Sequence, residues 1–209
     1  MVGPLGHGIY LASRSPRRRE LLSQIGVRYH LLLFRSRPGS PPDVDEAMLP
    51  NESADSYVER IARAKAEAGW KLLRLRNLPL APVLAADTTV SLGGRILGKP
   101  ADRKEATQML EALSGQRHEV LTAVALKREE QLDSALSRSE VQFKKLSAEE
   151  IAQYVASGEC DDKAGAYAIQ GRAARFIMEL RGSYSGVVGL PLFETSQLLE
   201  KLRDRRNPH

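Results

Sequence analysis

The stretch Ile9–Gly26, IYLASRSPRRRELLSQIG, changes its hydrophobic period halfway along. Ile9 to Ala12 is a short uncharged run of the length of a buried strand. Ser13 to Pro16 then turns the chain. Ser15 is placed to cap a helix, and Pro16 suits the first helical position. Leu21, Leu22 and Ile25 share one helical face, and Gly26 stops the helix. A strand that runs straight into a helix opens an α/β unit, and the rest of the chain repeats the alternation. A second strand is expected around Tyr29–Leu33, after which residues 36–43, rich in Pro and Gly, form a loop. A long helix follows from about Ser53 to Arg74. Val83–Val90 reads as a strand ending in a Gly93-Gly94 hairpin turn. Asp102–Leu113 reads as a helix with a capping box of Asp102 and Glu105, closed by Gly115. Val120–Leu126 and Val141–Leu146 are expected strands. A helix capped by Ser147 and Glu150 then runs to near Gly158. Ala166–Gln170 and Phe176–Leu180 complete the expected strands, and Leu192–Leu202 the helices. The expectation is an α/β fold around a mixed sheet with flanking helices. No repeat or linker divides it, so residues 1–209 read as one domain.

Composition narrows the chemistry. The 209 residues are 42% hydrophobic and 27% charged, which is globular rather than disordered. One cysteine, Cys160, excludes an internal disulfide or a multi-cysteine zinc site and fits a reducing cytoplasm. No apolar run approaches the ~20 residues of a membrane span, and no signal-like apolar core precedes Arg14. The net charge of +5 gathers at Arg14, Arg17, Arg18 and Arg19, along Arg60 to Arg76, and at Arg203, Arg205 and Arg206. Aromatic residues make up 5%, too few among those charges for the stacking platforms of a single-strand binder. A small anionic ligand fits better than nucleic acid. His7, His30, His118 and His209 lack metal-ligand spacing. Ser183 and Ser185 sit in Gly-Ser-Tyr-Ser-Gly-Val, which is not a nucleophile elbow. Cys160 has no activating partner that the sequence names.

Five places combine charge with the right local structure. In Ser13–Arg18 several arginines crowd a helix N-terminus, where the helix dipole repels cations and free N–H groups favour an anion. A solvated basic turn is the alternative reading. Arg18, three and four residues before Leu21 and Leu22, leans toward the core. Lys65 follows Val58, Ile61 and Ala62 on one apolar stripe, so it either meets a buried partner or snorkels to water. Asp87 ends a short apolar run in a strand, where α/β sheets place ligands; a local turn cap is the alternative. Lys99, in Gly98-Lys99-Pro100, is aimed from a hairpin without the surroundings of a P-loop. Gln170, after Gly165 in a polar strand end, carries both a donor and an acceptor, as reading a base edge requires.

Six segments, in order, resemble the Maf family of nucleotide pyrophosphatases: Leu11–Arg18, Ala86–Thr88, Leu97–Pro100, Leu113–His118, Asp162–Gly171 and Gly182–Thr195. The resemblance implies a two-lobed fold with a central cleft, like that of inosine triphosphate pyrophosphatases. It implies a divalent metal, Mg²⁺ or Mn²⁺, and release of pyrophosphate by attack at the α-phosphorus. On it, Asp87 activates water. Ser13, Arg17, Arg18, Lys65 and Lys99 hold the triphosphate, and Glu46 joins Asp87 at the metal. The Ile-Gln-Gly and Gly-Ser-Tyr forms are those of the subfamily acting on dTTP and UTP, where Arg17, Thr88 and Gln170 match positions tied to substrate choice. A homodimer is also implied. Two alternatives stand beside this. One is a pyrophosphatase for a modified guanine nucleotide. The other is a binding protein acting on septum formation, the effect from which the family takes its name. Departures include a longer stretch between Gly26 and Asp45, Ala123 where glycine is common, and Cys160 in place of proline.

Overall fold

Ile9–Leu11 forms strand β1, and Pro16–Gln24 forms helix α1, with the Ser15 hydroxyl accepting the Arg18 N–H at its start. The computed structural model describes residues 8–34 and 44–204. The expected 36–43 loop, His7, His209, Arg205 and Arg206 lie outside them. Strand β2 (Tyr29–Leu31) is followed by helix α2 (Ala54–Leu75), capped by Ser53, which buries Val58, Ile61, Ala62, Ala66 and Leu73. Strands β3 (Val83–Leu92) and β4 (Arg95–Leu97) form the expected hairpin, with Gly93 and Gly94 both at positive φ. Helix α3 (Arg103–Leu113), long strands β5 (Arg117–Arg128) and β6 (Gln131–Phe143) and helix α4 (Ala148–Ala156) come next. Strand β7 (Ile177–Arg181), the short helix α5 (Tyr184–Val188) and helix α6 (Leu192–Asp204) finish the order.

The sheet runs β2-β1-β3-β5-β6-β7, with β4 on the edge of β3. β2, β1 and β3 are parallel and the remaining pairs antiparallel, so the sheet is mixed as expected. Alternation along each strand sends side chains to two faces. Val83 and Ala85 pack with Ala123, Ala125 and α2 on one face. Leu84 and Ala86 pack with Ile9, Leu11, Val124, α1 and α6 on the other. Farther along, Val90 and Val120 join α3, α4, Phe143, Tyr167 and Phe176 in a third core. Two lobes result, joined by the long strands β3, β5 and β6.

Three expectations need correction. The strand expected at Ala166–Gln170 does not form. Gly165 and Ala166 both take positive φ, in a 3-10 turn over Ala164–Ala166. The apolar look of that stretch comes from Ala166 and Tyr167 entering the third core. The strand expected from Val141 to Leu146 begins at Gln131 and ends at Phe143, since its first half is polar and half-exposed. Asp102 caps the Glu105 N–H, but the Glu105 carboxylate takes the Ala101 N–H rather than that of Asp102, so the capping box is displaced by one residue. Helix α5 carries no 3.6-residue signal, being too short.

Candidate active site

Strand β3 is covered on one edge by β1 only as far as Leu84, and by β4 only from Val90. Between those points the edge stays open, and a cavity of about 690 Å³ lies against it. Asp87 and Thr88 both line this cavity although they point to opposite faces of the strand. One wall is the turn from Ala12 into α1. The opposite wall comes from the second lobe, through Val90, Lys99, Val120, Lys163 and Tyr167. Six cationic side chains (Arg14, Arg17, Arg18, Lys65, Lys99, Lys163) and three carboxylates (Glu46, Asp87, Asp162) line it. The balance favours a ligand carrying several negative charges.

Asp87 is buried, and on its face it meets α2. The Lys65 ammonium lies 2.7 Å from the Asp87 carboxylate and 2.7 Å from that of Glu46. The Lys65 side chain is 15% exposed, so of its two sequence readings the paired one holds and snorkelling does not. Burial raises the Glu46 carboxyl, but the Lys65, Lys99 and Arg18 charges outweigh it and hold the group below its ordinary range. Glu46 is itself steadied through its carbonyl, which accepts the Tyr57 hydroxyl at 3.0 Å. Tyr57 is pushed up to about 12 by burial, with Asp87 and Glu46 adding to the shift.

Thr88, on the other face, meets α1. Arg18 donates through Nη2 to the Thr88 hydroxyl at 3.3 Å and through Nε to the Gly189 carbonyl at 2.7 Å. Its Nη1 reaches Ser13 Oγ at 3.5 Å, and Ser13 Oγ also accepts the Ser15 N–H. Burial pulls the Arg18 guanidinium down, and neighbouring Arg17 adds to that, against Asp87 and Glu46. Burial also lowers Arg17, whose Nε is enclosed with no hydrogen-bond partner. A buried donor without an acceptor is costly, and an anion in the cavity relieves it. Lys163 donates to the Asp161 carbonyl at 3.0 Å and is lowered by burial and by Arg17.

Of the residues singled out from sequence, Ser13, Arg17, Arg18, Glu46, Lys65, Asp87, Thr88 and Lys99 line this one cavity. Gln170 does not. It is exposed, two residues beyond the lining residue Ala168. Arg14, part of the basic Ser13–Arg18 turn, lines the cavity too, as do Lys163 and Tyr167, which the sequence did not single out. The Asp-Lys-Ala-Gly run before the turn was the signal for Lys163. Tyr167 left none, since its place depends on the third core. The described residues contain no group of three or more His, Cys, Asp or Glu side chains placed for a metal. Two carboxylates sharing one ammonium are nevertheless present at Glu46 and Asp87. Magnesium is commonly held by one or two carboxylates together with substrate phosphates, so this pair fits such an ion.

A relative from Nitrosomonas europaea named dTTP/UTP pyrophosphatase is 61% identical over 201 residues, covering 96% of this chain and 97% of its own. Relatives of the same name from Aromatoleum aromaticum and Nitrosospira multiformis are 58% and 60% identical, over 94% and 92% of this chain and 96% and 93% of their own. The structure of the Staphylococcus aureus Ham1 protein aligns with a TM-score of 0.49 and 14% identity, over 95% of this chain and 99% of that one. The model for Maf-like proteins matches residues 8–202, a span that takes in both lobes and every wall of the cavity. The chain belongs to the Maf family.

Proposed function

We propose that this protein is a nucleoside triphosphate pyrophosphatase that hydrolyses dTTP and UTP to the monophosphate and pyrophosphate. The observation carrying the reading is Asp87, a buried carboxylate bonded to Lys65 inside a cavity whose charged lining is mostly cationic. The names of relatives at 58–61% identity support the choice of nucleotide.

In this reading Arg17, Arg18, Lys99 and Ser13 bind the phosphate chain, and the orphaned Arg17 Nε gains its acceptor there. Asp87 holds the attacking water and takes its proton as oxygen bonds to the α-phosphorus. The bond from the α-phosphorus to the oxygen bridging the β-phosphate breaks, and pyrophosphate leaves with that electron pair. The cations offset the charge gathering on the leaving oxygen. Lys65 orients Asp87 through their 2.7 Å ion pair. Glu46 and Asp87 would hold a divalent cation, which when bound supplies charge neutralisation and a more acidic water. Arg17 and Thr88, which line the cavity, are proposed to bear on substrate choice.

The test is a panel of nucleoside triphosphates with Mg²⁺ or Mn²⁺, assayed for pyrophosphate. The reading expects dTTP and UTP to be cleaved faster than purine nucleotides. Absence of pyrophosphate from both overturns it, and a preference for a modified guanine nucleotide replaces it.

A further inference from the structure

Thr88 and Thr122 face each other across β3 and β5 in direct register. The Thr122 hydroxyl is fully buried. It lies 2.7 Å from the Gly186 carbonyl and 2.9 Å from the Thr88 hydroxyl. A hydroxyl has one proton, so Thr122 donates to only one of these neighbours. Both ends of the chain of contacts have fixed polarity. Arg18 Nη2 only donates, and the Gly186 carbonyl only accepts. Were Thr122 to donate to Thr88, two acceptor oxygens would face each other at 2.7 Å. The consistent order runs from Arg18 to Thr88, from Thr88 to Thr122, and from Thr122 to Gly186.

That order fixes what Thr88 shows to the cavity. Its proton points inward at Thr122, and one lone pair takes the Arg18 N–H. The second lone pair is what remains.

We propose that Thr122 is a positioning residue that makes Thr88 a hydrogen-bond acceptor toward the cavity, so that the part of the substrate meeting Thr88 is a hydrogen-bond donor. The inference rests on the nucleotide reading above. A pyrimidine nucleotide offers two such donors: the imide N–H of uracil or thymine, and a sugar hydroxyl. The phosphates, being ionised, offer none. A base whose ring nitrogen is itself an acceptor, as in cytosine, is repelled at the same point.

The test compares kcat/KM for UTP with its N3-methyl analogue, and for dTTP with its 3′-deoxy analogue. In the unaltered protein, one analogue loses roughly tenfold or more through the missing bond. Thr122→Val, which keeps the branched shape but removes the inner acceptor, cuts that penalty to roughly twofold. Thr122→Ser, which keeps the hydroxyl, preserves it. The analogue that shows the effect tells base from sugar. If Thr122→Val does not fold, judged by its melting transition, Thr88→Val removes the acceptor directly and must abolish the same penalty. A penalty unchanged in the valine variant, or no penalty with either analogue, overturns the inference alone. An unaltered protein inert on both UTP and dTTP overturns the nucleotide reading and takes the inference with it.

Discussion

Asp87 and Thr88 are neighbours in the chain with different duties, because a strand turns successive side chains to opposite faces. Asp87 meets Lys65 of α2 and Thr88 meets Arg18 of α1. Only the open stretch of β3 edge lets one ligand reach both. Replacing Asp87 with Asn keeps size and removes the base. Loss of a positioned general base costs about 10²- to 10⁴-fold, so turnover of dTTP is expected to fall by that much with melting temperature little changed. Turnover within a few-fold of the original argues against Asp87 as base. At this scale the sequence told part of the story. Asp87 ended an apolar run, and Lys65 sat on an apolar stripe. The partner that decided between pairing and snorkelling lay 22 residues away, beyond any local pattern. Thr122 was unreadable, because threonine in a strand is ordinary.

Among elements, those with strong local chemistry were legible. Ser15 and Ser147 cap their helices as expected, Ser53 caps α2, and Gly93-Gly94 turns its hairpin. The first half of β6 was not legible. Asp133, Ser134, Ser137, Arg138 and Ser139 give it no apolar alternation, and pairing with β5 makes it a strand. The turn at Ala164–Ala166 was misread because composition does not reveal φ. Gly165 sits at φ 66°, where a Cβ would lie 2.9 Å from a Val90 methyl, and its N–H donates to the Gly98 carbonyl at 3.0 Å. This turn ties the Lys163 segment to the Lys99 loop across the cavity wall. Gly165→Ala is expected to lose about 2–4 kcal/mol, from left-handed strain and overpacking together. Urea unfolding measures it, and an unshifted midpoint contradicts the account. Ser147→Ala, which removes the hydroxyl that accepts the Glu150 N–H, is expected to cost about 1 kcal/mol by the same measurement. Equal midpoints would deny the cap its role.

Across the whole molecule, a mixed sheet carries two lobes with a cationic cavity between them, where Arg14, Arg17 and Arg18 of the first basic cluster meet Lys65, Lys99 and Lys163. The second lobe also holds a buried histidine. His118 is paired through Nε2 with the Tyr167 hydroxyl at 2.8 Å, and burial lowers its pKa to about 4. The unfolded chain therefore binds the proton more readily than the folded one. His118's contribution is complete above about pH 6.5 and is lost as pH falls toward 4, by roughly 3 kcal/mol in total. Urea unfolding at pH 7 and pH 4.5 is expected to show a smaller difference in His118→Gln than in the unaltered protein. Carboxylate effects are common to both proteins, so an equal difference rules this source out.

The claim that joins these scales is that the cavity directs water to the α-phosphorus of a pyrimidine triphosphate. Hydrolysis of dTTP in oxygen-18 water, followed by mass spectrometry of the products, tests it most directly. The account predicts one labelled oxygen in dTMP and none in pyrophosphate. Label in pyrophosphate, or products of dTDP and orthophosphate, would contradict it.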